Sequence, residues 1–389
     1  MAPLTHRKAL ILLIFSHLSI DLYGSFLAPL QPFLIQKHSL SLTQAGLLVS
    51  IFSISASLLQ PLYGFWADRI GKRFFVILAP VLAASFMSLL TRAENYFLLM
   101  ACLVLAGVGI AAFHPQASSL SHAVSGNRKG LGMSLFISGG NIGTALGPLY
   151  IMFFVNRFGL ESAVYAAVPG LLLSLALLMY CPEMPRQETK IRFSTIRDDI
   201  KRYAGPLSTL YAIVVFRTFV QLSFITFIPV LLKQMELPPL LIGVGVTCFT
   251  GFGALGGLTG GFLFDRIGGR NLFLISSITA PLFLFLAVTV QNIILTVLFT
   301  AIAGFLLMMT IPISVLMGQS IVPNAISTVS SLMMGFGWGV GGMLVPLAGR
   351  YADATSIPET LRVVALLPLL YTVLAWRLPG KKTLVQTVS

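Results

Sequence analysis

Two histidines, one aspartate and one arginine are the residues with chemistry to offer in a chain otherwise built from apolar runs. His17 and Asp21 stand four residues apart, so a helix puts both on one face. His114 precedes Pro115 in a second apolar run, and Arg217 lies in a third with Gln221 one turn along. Of the 12 acids, Asp21 alone falls in the middle of an apolar run. An ionisable side chain at such a depth is costly and marks a functional site by default. A carboxylate beside imidazoles, with a proton affinity that follows local hydration, can take up and release a proton. The rival reading is a structural ion pair. His17, Asp21 and His114 could also hold a divalent cation through nitrogen and oxygen. His114 has a plainer reading too, as a helix-end residue satisfied by the Pro115 break. Arg217 offers a planar fork suited to carboxylate, phosphonate or phosphate, or a fixed counter-ion for Asp21.

The elements that must position these groups are membrane helices. The chain is 56% hydrophobic and 10% charged, with a mean hydropathy of +0.91. Water-soluble chains carry about 25% charged residues. The apolar runs reach about 20 residues, the length that spans ~30 Å of hydrocarbon. The shorter alternating segments of a membrane barrel are absent. Twelve spans are expected: 9–35, 44–66, 74–91, 95–120, 131–155, 161–181, 207–233, 239–264, 272–290, 293–317, 327–350 and 358–377. At ~1.5 Å per residue, His17 lies about 7.5 Å and His114 about 9 Å from mid-span, on the same side. Arg217 lies slightly to that side, and Asn141 lies near the centre of its span. Polar residues from four helices therefore share one slab, as a central cavity requires.

Net charge is +13, which could suggest a nucleic-acid partner, but its placement does not. With the N-terminus inside, the outer turns hold only Lys37, Arg92, Arg157, Lys233, Arg350 and Arg362 of the 25 basic residues. That is the positive-inside asymmetry. It puts both termini in the cytoplasm and leaves lipid, rather than a polyanion, as the surrounding partner. The first apolar segment is too long for a signal-peptide core. Cys102, Cys181 and Cys248 form no C-x-x-C pair, so no metal cage or disulfide framework is indicated. No nucleophile elbow or phosphate loop points to an enzyme, and no cofactor is expected beyond the proton.

The chain repeats itself at half its length. Gly64-Phe65-Trp66-Ala67-Asp68-Arg69-Ile70-Gly71-Lys72-Arg73 returns 197 residues later as Gly261-Phe262-Leu263-Phe264-Asp265-Arg266-Ile267-Gly268-Gly269-Arg270. Pro32 and Pro115 recur as Pro229 and Pro312, and Gly139, Gly143 and Pro148 recur at an offset of 198 as Gly337, Gly341 and Pro346. Six spans per half preserve orientation, so the expected fold is all-α: two parallel-repeat six-helix bundles. Residues 1–181 form the first bundle, 182–206 a cytoplasmic linker, and 207–389 the second bundle with a short tail. In each cassette the glycines permit close helix approach. Asp68 and Asp265 suit a helix N-terminus, and Arg69, Arg73, Arg266 and Arg270 can pair across the inner face as a conformational latch. Gly139, Gly143 and Gly147-Pro148 form a small-residue packing row.

The paired cassettes resemble the signature of the major facilitator superfamily, and the twelve-span layout extends that resemblance over the whole chain. His17 to Gly24, Phe113-His114-Pro115-Gln116, and Ser134 to Pro148 look like the fosmidomycin-resistance type of bacterial exporter. The resemblance implies proton-coupled export of small, often anionic, organic compounds from an inner membrane by a monomer. Gly147-Pro148 resembles that superfamily's antiporter element. Two departures stand out: residues 95–113 carry no basic residue, and Gln116 stands where the exporters often have an acid. Any proton relay must therefore use Asp21 with His17 or His114. Arg217, Gln221, Asn141, Gln116, Phe113 and Trp338 are the candidate substrate contacts. Remaining rivals are a proton-coupled importer of an organic anion, a divalent-metal transporter, and a membrane sensor.

Overall fold

The computed structural model describes residues 6–63, 66, 73–126, 128–181, 202–322 and 326–380. Twelve helices are long and apolar enough to cross a membrane, and no strand occurs among the described residues. They are α1 (Arg7–His38), α2 (Leu42–Tyr63), α3 (Phe74–Arg92), α4 (Tyr96–Val124), α5 (Lys129–Phe158) and α6 (Leu160–Tyr180). The second set is α7 (Ala204–Gln234), α8 (Pro239–Ile267), α9 (Gly269–Thr289), α10 (Ile293–Ile321), α11 (Thr328–Ala354) and α12 (Ile357–Trp376).

Several helices outrun their expected apolar spans because polar residues continue them past the hydrocarbon. α4 runs on through His114 and Pro115 to Val124. α1 breaks between Gly24 and Leu27. α2 and α11 each carry a π-turn, Ile54–Leu58 and Leu332–Phe336. Asparagine side chains open the two matching helices of the repeat: Asn95 accepts from Leu98 N at the start of α4, and Asn292 from Leu295 N at the start of α10. Each satisfies an orphan donor of the first turn.

The chain packs as two compact units. The first gathers α1, α2 from Leu47 on, α3 to α6, and the segment Leu232–Thr247. The second gathers α7 to Leu231, α8 from Cys248 on, α9 to α12, and the segment Ser41–Gly46. The sequence gives no sign of those two exchanged segments.

Within the first unit α5 lies directly on α1. A β-carbon on Gly139 would come 2.8 Å from the Ile14 carbonyl oxygen. One on Gly143 would overlap the Leu18 carbonyl, and one on Gly147 the Leu22 carbonyl. Tyr23 ties α1 to α6: its hydroxyl donates to Ala166 O at 2.8 Å and accepts from Gly170 N at 3.0 Å. In the second unit α11 approaches α7 by the matching glycines, Gly337 against Val214 and Gly341 against Thr218. The core there is Leu210, Ile213, Val214, Phe273, Met317 and Tyr371.

The α1–α5 approach sets an expected outcome. Gly143→Ala should cost about 1–3 kcal/mol, because a backbone carbonyl cannot move aside. Gly130→Ala, at a position with no atom within 4 Å, should be near neutral. Thermal unfolding of the two purified variants compares them directly.

Candidate functional site

All the parts of the candidate proton site belong to the first unit. α1 supplies His17 and Asp21 one turn apart, and α4 supplies His114. His17 Nε2 lies 3.2 Å from Asp21 Oδ2, and His114 Nε2 lies 3.5 Å from Asp21 Oδ1. The carboxylate thus has an imidazole at each oxygen. Side-chain exposures are 21% for Asp21 and 25% for His114, against 10% for His17.

α5 holds the inner ring in place. Phe136 stacks on His17 at 4.2 Å with 25° between planes, and its backbone carbonyl lies 2.8 Å from His17 Nδ1. A carbonyl only accepts, so Nδ1 carries a hydrogen and donates it. Nε2 then faces a carboxylate oxygen. A bond there needs a further hydrogen, either on Nε2 or on the carboxyl. Without it, a nitrogen lone pair would point at an anion. The pair therefore holds together only while it carries one exchangeable proton, or a cation in its place. The three ligand atoms lie within 4.8 Å of one another, a spacing that would also admit a divalent ion. Gly140 makes room for the pair: a β-carbon there would come 2.6 Å from His17 Nε2.

The Phe136 carbonyl and Gly140 are the parts of the site that residue-type reasoning missed. Neither has a side chain that signals proton chemistry. Only the α1–α5 register reveals them.

The other candidates are placed as follows. Phe113 is fully buried with its ring 6.0 Å from His17, behind the site. Gln116 is buried and its Oε1 accepts from Val76 N at 2.9 Å, in the first turn of α3. Asn141 is exposed on α5. In the second unit Trp338 is half-buried on α11. Arg217 is only 2% exposed: Nη1 donates to Gln221 Oε1 at 3.0 Å and Nη2 to Thr218 Oγ1 at 3.2 Å. Among the described residues its Nε has no hydrogen-bond partner, and neither does the buried Tyr371 hydroxyl, which interacts electrostatically with it. Among the described residues, no carboxylate pairs with this guanidinium.

Of the first cassette, Gly64, Asp68, Arg69 and Gly71 lie outside the described residues; Arg73 donates to the Cys181 carbonyl. In the second, Gly268 adopts φ +80° between α8 and α9, a conformation that favours glycine. Asp265 is exposed there, Arg266 stacks over Phe262 at 4.5 Å, and Arg270 lies 5.0 Å over Trp376. Gly261 has open space where a β-carbon would be.

Comparison with known proteins matches this architecture. The family model described as Major Facilitator Superfamily covers residues 11–378. The fosmidomycin resistance protein of Escherichia coli (strain K12) is 28% identical, over 91% of this chain and 89% of its own. An uncharacterized MFS-type transporter of Bacillus subtilis (strain 168) is 27% identical, over 96% of this chain and 93% of its own. A multi-drug resistance efflux pump of Streptococcus pneumoniae matches 42% of this chain at 29% identity, and 44% of its own. Among solved structures, a bacterial homolog of the human lysosomal transporter Spinster superposes with a TM-score of 0.78 at 17% identity, covering 95% of both chains.

Gln116 separates a packing role from a substrate role. Gln116→Leu leaves Val76 N buried without an acceptor and should cost about 1–3 kcal/mol of stability. A thermal shift of that size marks the packing role. Unchanged melting with altered transport would mark substrate contact instead.

Proposed function

The chain belongs to the Major Facilitator Superfamily, and from that premise we propose that it is a proton-coupled antiporter exporting a small anionic or amphiphilic organic compound. It is a multi-pass membrane transporter with efflux-type relatives. The observation that carries the coupling is the Asp21 carboxylate between two imidazoles, with His17 Nδ1 already spent on the Phe136 carbonyl. Losing the shared proton opposes a lone pair to a carboxylate, so protonation and local geometry are linked. A linkage of that kind lets proton binding bias an alternating-access cycle. The residues that bind the proton are partly open to solvent, as exchange requires.

The preference for an anion rests on Arg217. A buried guanidinium without a carboxylate partner is an incompletely compensated charge, and its fork matches an oxyanion. Its 2% exposure means that substrate reaches it only in another state of the cycle. Export rather than import is supported by the efflux relatives and by the Gly147-Pro148 element on α5. Cytoplasmic termini are supported by the basic residues of the inner turns, and an inner-membrane location by the bacterial relatives.

The test is substrate-driven proton flux in proteoliposomes, read with an internal pH dye. Fosmidomycin, carboxylates, cationic drugs and sugars serve as probes, with wild type and Asp21→Asn side by side. Flux with at least one anionic probe should fall in the variant to the level of empty liposomes, and a chelator should leave the wild-type flux unchanged. Full coupled flux in Asp21→Asn would refute the assignment. Flux lost on chelation and restored by a divalent metal would replace the proton with a metal ion at the same three side chains.

A further inference from the structure

Tyr371 on α12 ends in a hydroxyl that neither the core packing nor the proton site uses. The residue is 2% exposed, and among the described residues its Oη has no hydrogen-bond partner. The fold can satisfy a hydroxyl in this setting. In the first unit Tyr23 joins α1 to α6, the repeat counterparts of α7 and α12, and its oxygen donates to Ala166 O and accepts from Gly170 N. Next to Tyr371, the Thr372 hydroxyl donates to Ser277 Oγ on α9 at 2.8 Å. Tyr371 keeps an idle donor on a buried oxygen, which costs stability unless an acceptor arrives.

The charge that acts on this hydroxyl is Arg217. Tyr371 packs in one core with Ile213 and Val214, one turn before Arg217 on α7, and all of these residues belong to the second unit. A guanidinium has five N–H donors. Gln221 Oε1 and Thr218 Oγ1 take two of them. Three remain, Nε–H among them, and no carboxylate among the described residues compensates the charge. At the offset of 197 the position of Arg217 belongs to Ile20, which is fully buried. The guanidinium therefore stands where the repeat packs an aliphatic side chain.

The interior of the second unit thus holds one positive charge, three N–H donors and one O–H donor that wait for acceptors. Water satisfies donors but leaves the charge uncompensated. An anion satisfies both. The planar fork pairs with two oxygens of one group, and the hydroxyl, coming from another helix, adds a contact from a second direction. We propose that Tyr371 Oη and the idle N–H groups of Arg217 are the donors of one oxyanion site. Tyr371 is then a substrate contact, and the exported compound carries a phosphonate, phosphate or carboxylate group. This rests on the anionic-substrate reading of Arg217 and adds to it the second donor.

Ligand-dependent melting of the purified protein tests it. The oxyanion probes are fosmidomycin, methylphosphonate and benzoate, with the neutral dimethyl ester of methylphosphonate and chloride as controls. The readout is the probe concentration that gives half of the rise in Tm. Tyr371→Phe removes one oxygen and keeps the ring, so without probe it should melt no lower than wild type. Its half-rise concentration for at least one oxyanion should increase about tenfold or more, the loss of one hydrogen bond to a charged group. Arg217→Lys, which keeps the charge without the fork, should raise the same concentration. The ester should give no saturable rise. An unchanged half-rise concentration in Tyr371→Phe would make the tyrosine a packing residue and overturn the proposal. An equal rise with the ester would overturn it too, as would the lack of a saturable rise in wild type with every oxyanion. Chloride acting at the same concentrations would make this a halide site and overturn the oxyanion assignment. If Arg217→Lys weakens binding and Tyr371→Phe does not, this proposal fails and the anionic-substrate reading stands. If both weaken binding while substrate drives no proton flux in proteoliposomes, the coupling fails and this proposal stands.

Discussion

A carboxylate placed among apolar helices has to be given donors or a proton, and in the first unit that requirement organises everything around Asp21. Two imidazoles from different helices flank it, one at each oxygen. For them to reach both oxygens, α4 must present His114 toward α1, and α5 must come close enough for the Phe136 carbonyl to take His17 Nδ1. That closeness is possible because α5 offers glycine where α1 offers bare backbone. Gly139, Gly143 and Gly147 meet the carbonyls of Ile14, Leu18 and Leu22 in succession. Small-residue packing and the placement of the histidine are therefore one design here: the glycine row sets the helix separation at which an acceptor-only group can orient the ring.

The same physics explains what the sequence made legible. Long apolar runs and the placement of basic residues announce membrane helices because hydrocarbon tolerates little else. Asp21 and His17 stood out because a charge in a greasy run is costly wherever it points. The four-residue spacing placed them on one face without any structure. His114 could be added by matching depth. The Phe136 carbonyl could not, since every residue has one and only the rotation of α5 about its axis selects it. Gln116 shows a related limit. Its polarity suggests a cavity, yet its amide oxygen serves a backbone donor in the first turn of α3. Helix ends were underestimated because hydropathy falls at the membrane surface while the hydrogen-bond ladder continues, as α4 does to Val124. The exchange of Ser41–Gly46 and Leu232–Thr247 between units left no trace in composition, because it depends on shape and not on polarity.

The repeat shows which residues are scaffold and which are chemistry. Features present in both halves are structural: the asparagine caps at 95 and 292, the Gly46 and Gly243 contacts, and the glycines that bring α5 onto α1 and α11 onto α7. Features present in only one half are polar. At the offset of 197, His17, Asp21 and His114 correspond to Val214, Thr218 and Ile311, and Arg217 corresponds to Ile20. Val214 sits in the core of the second unit, and Ile20 is fully buried in the first. A duplicated helix bundle thus carries opposite specialisations. The first half carries His17, Asp21 and His114 where the second carries valine, threonine and isoleucine, and the second carries a guanidinium where the first has isoleucine.

That divergence has a physical consequence for the coupling proposed above. A proton on the triad changes the net charge of the first unit's interior by one, and an anion on Arg217 would change that of the second by one with opposite sign. Each charge is costly in hydrocarbon when uncompensated. With its proton bound, the triad is a neutral pair plus a second histidine, and without it an anionic group exposed to solvent is preferred. With its ligand bound, Arg217 is neutralised and burial is cheap; without it, opening toward water is favoured. Under the exchange proposed above, occupancy of each group changes the cost of burying it. Neither group requires the other to be in contact, only that one conformational equilibrium serves both.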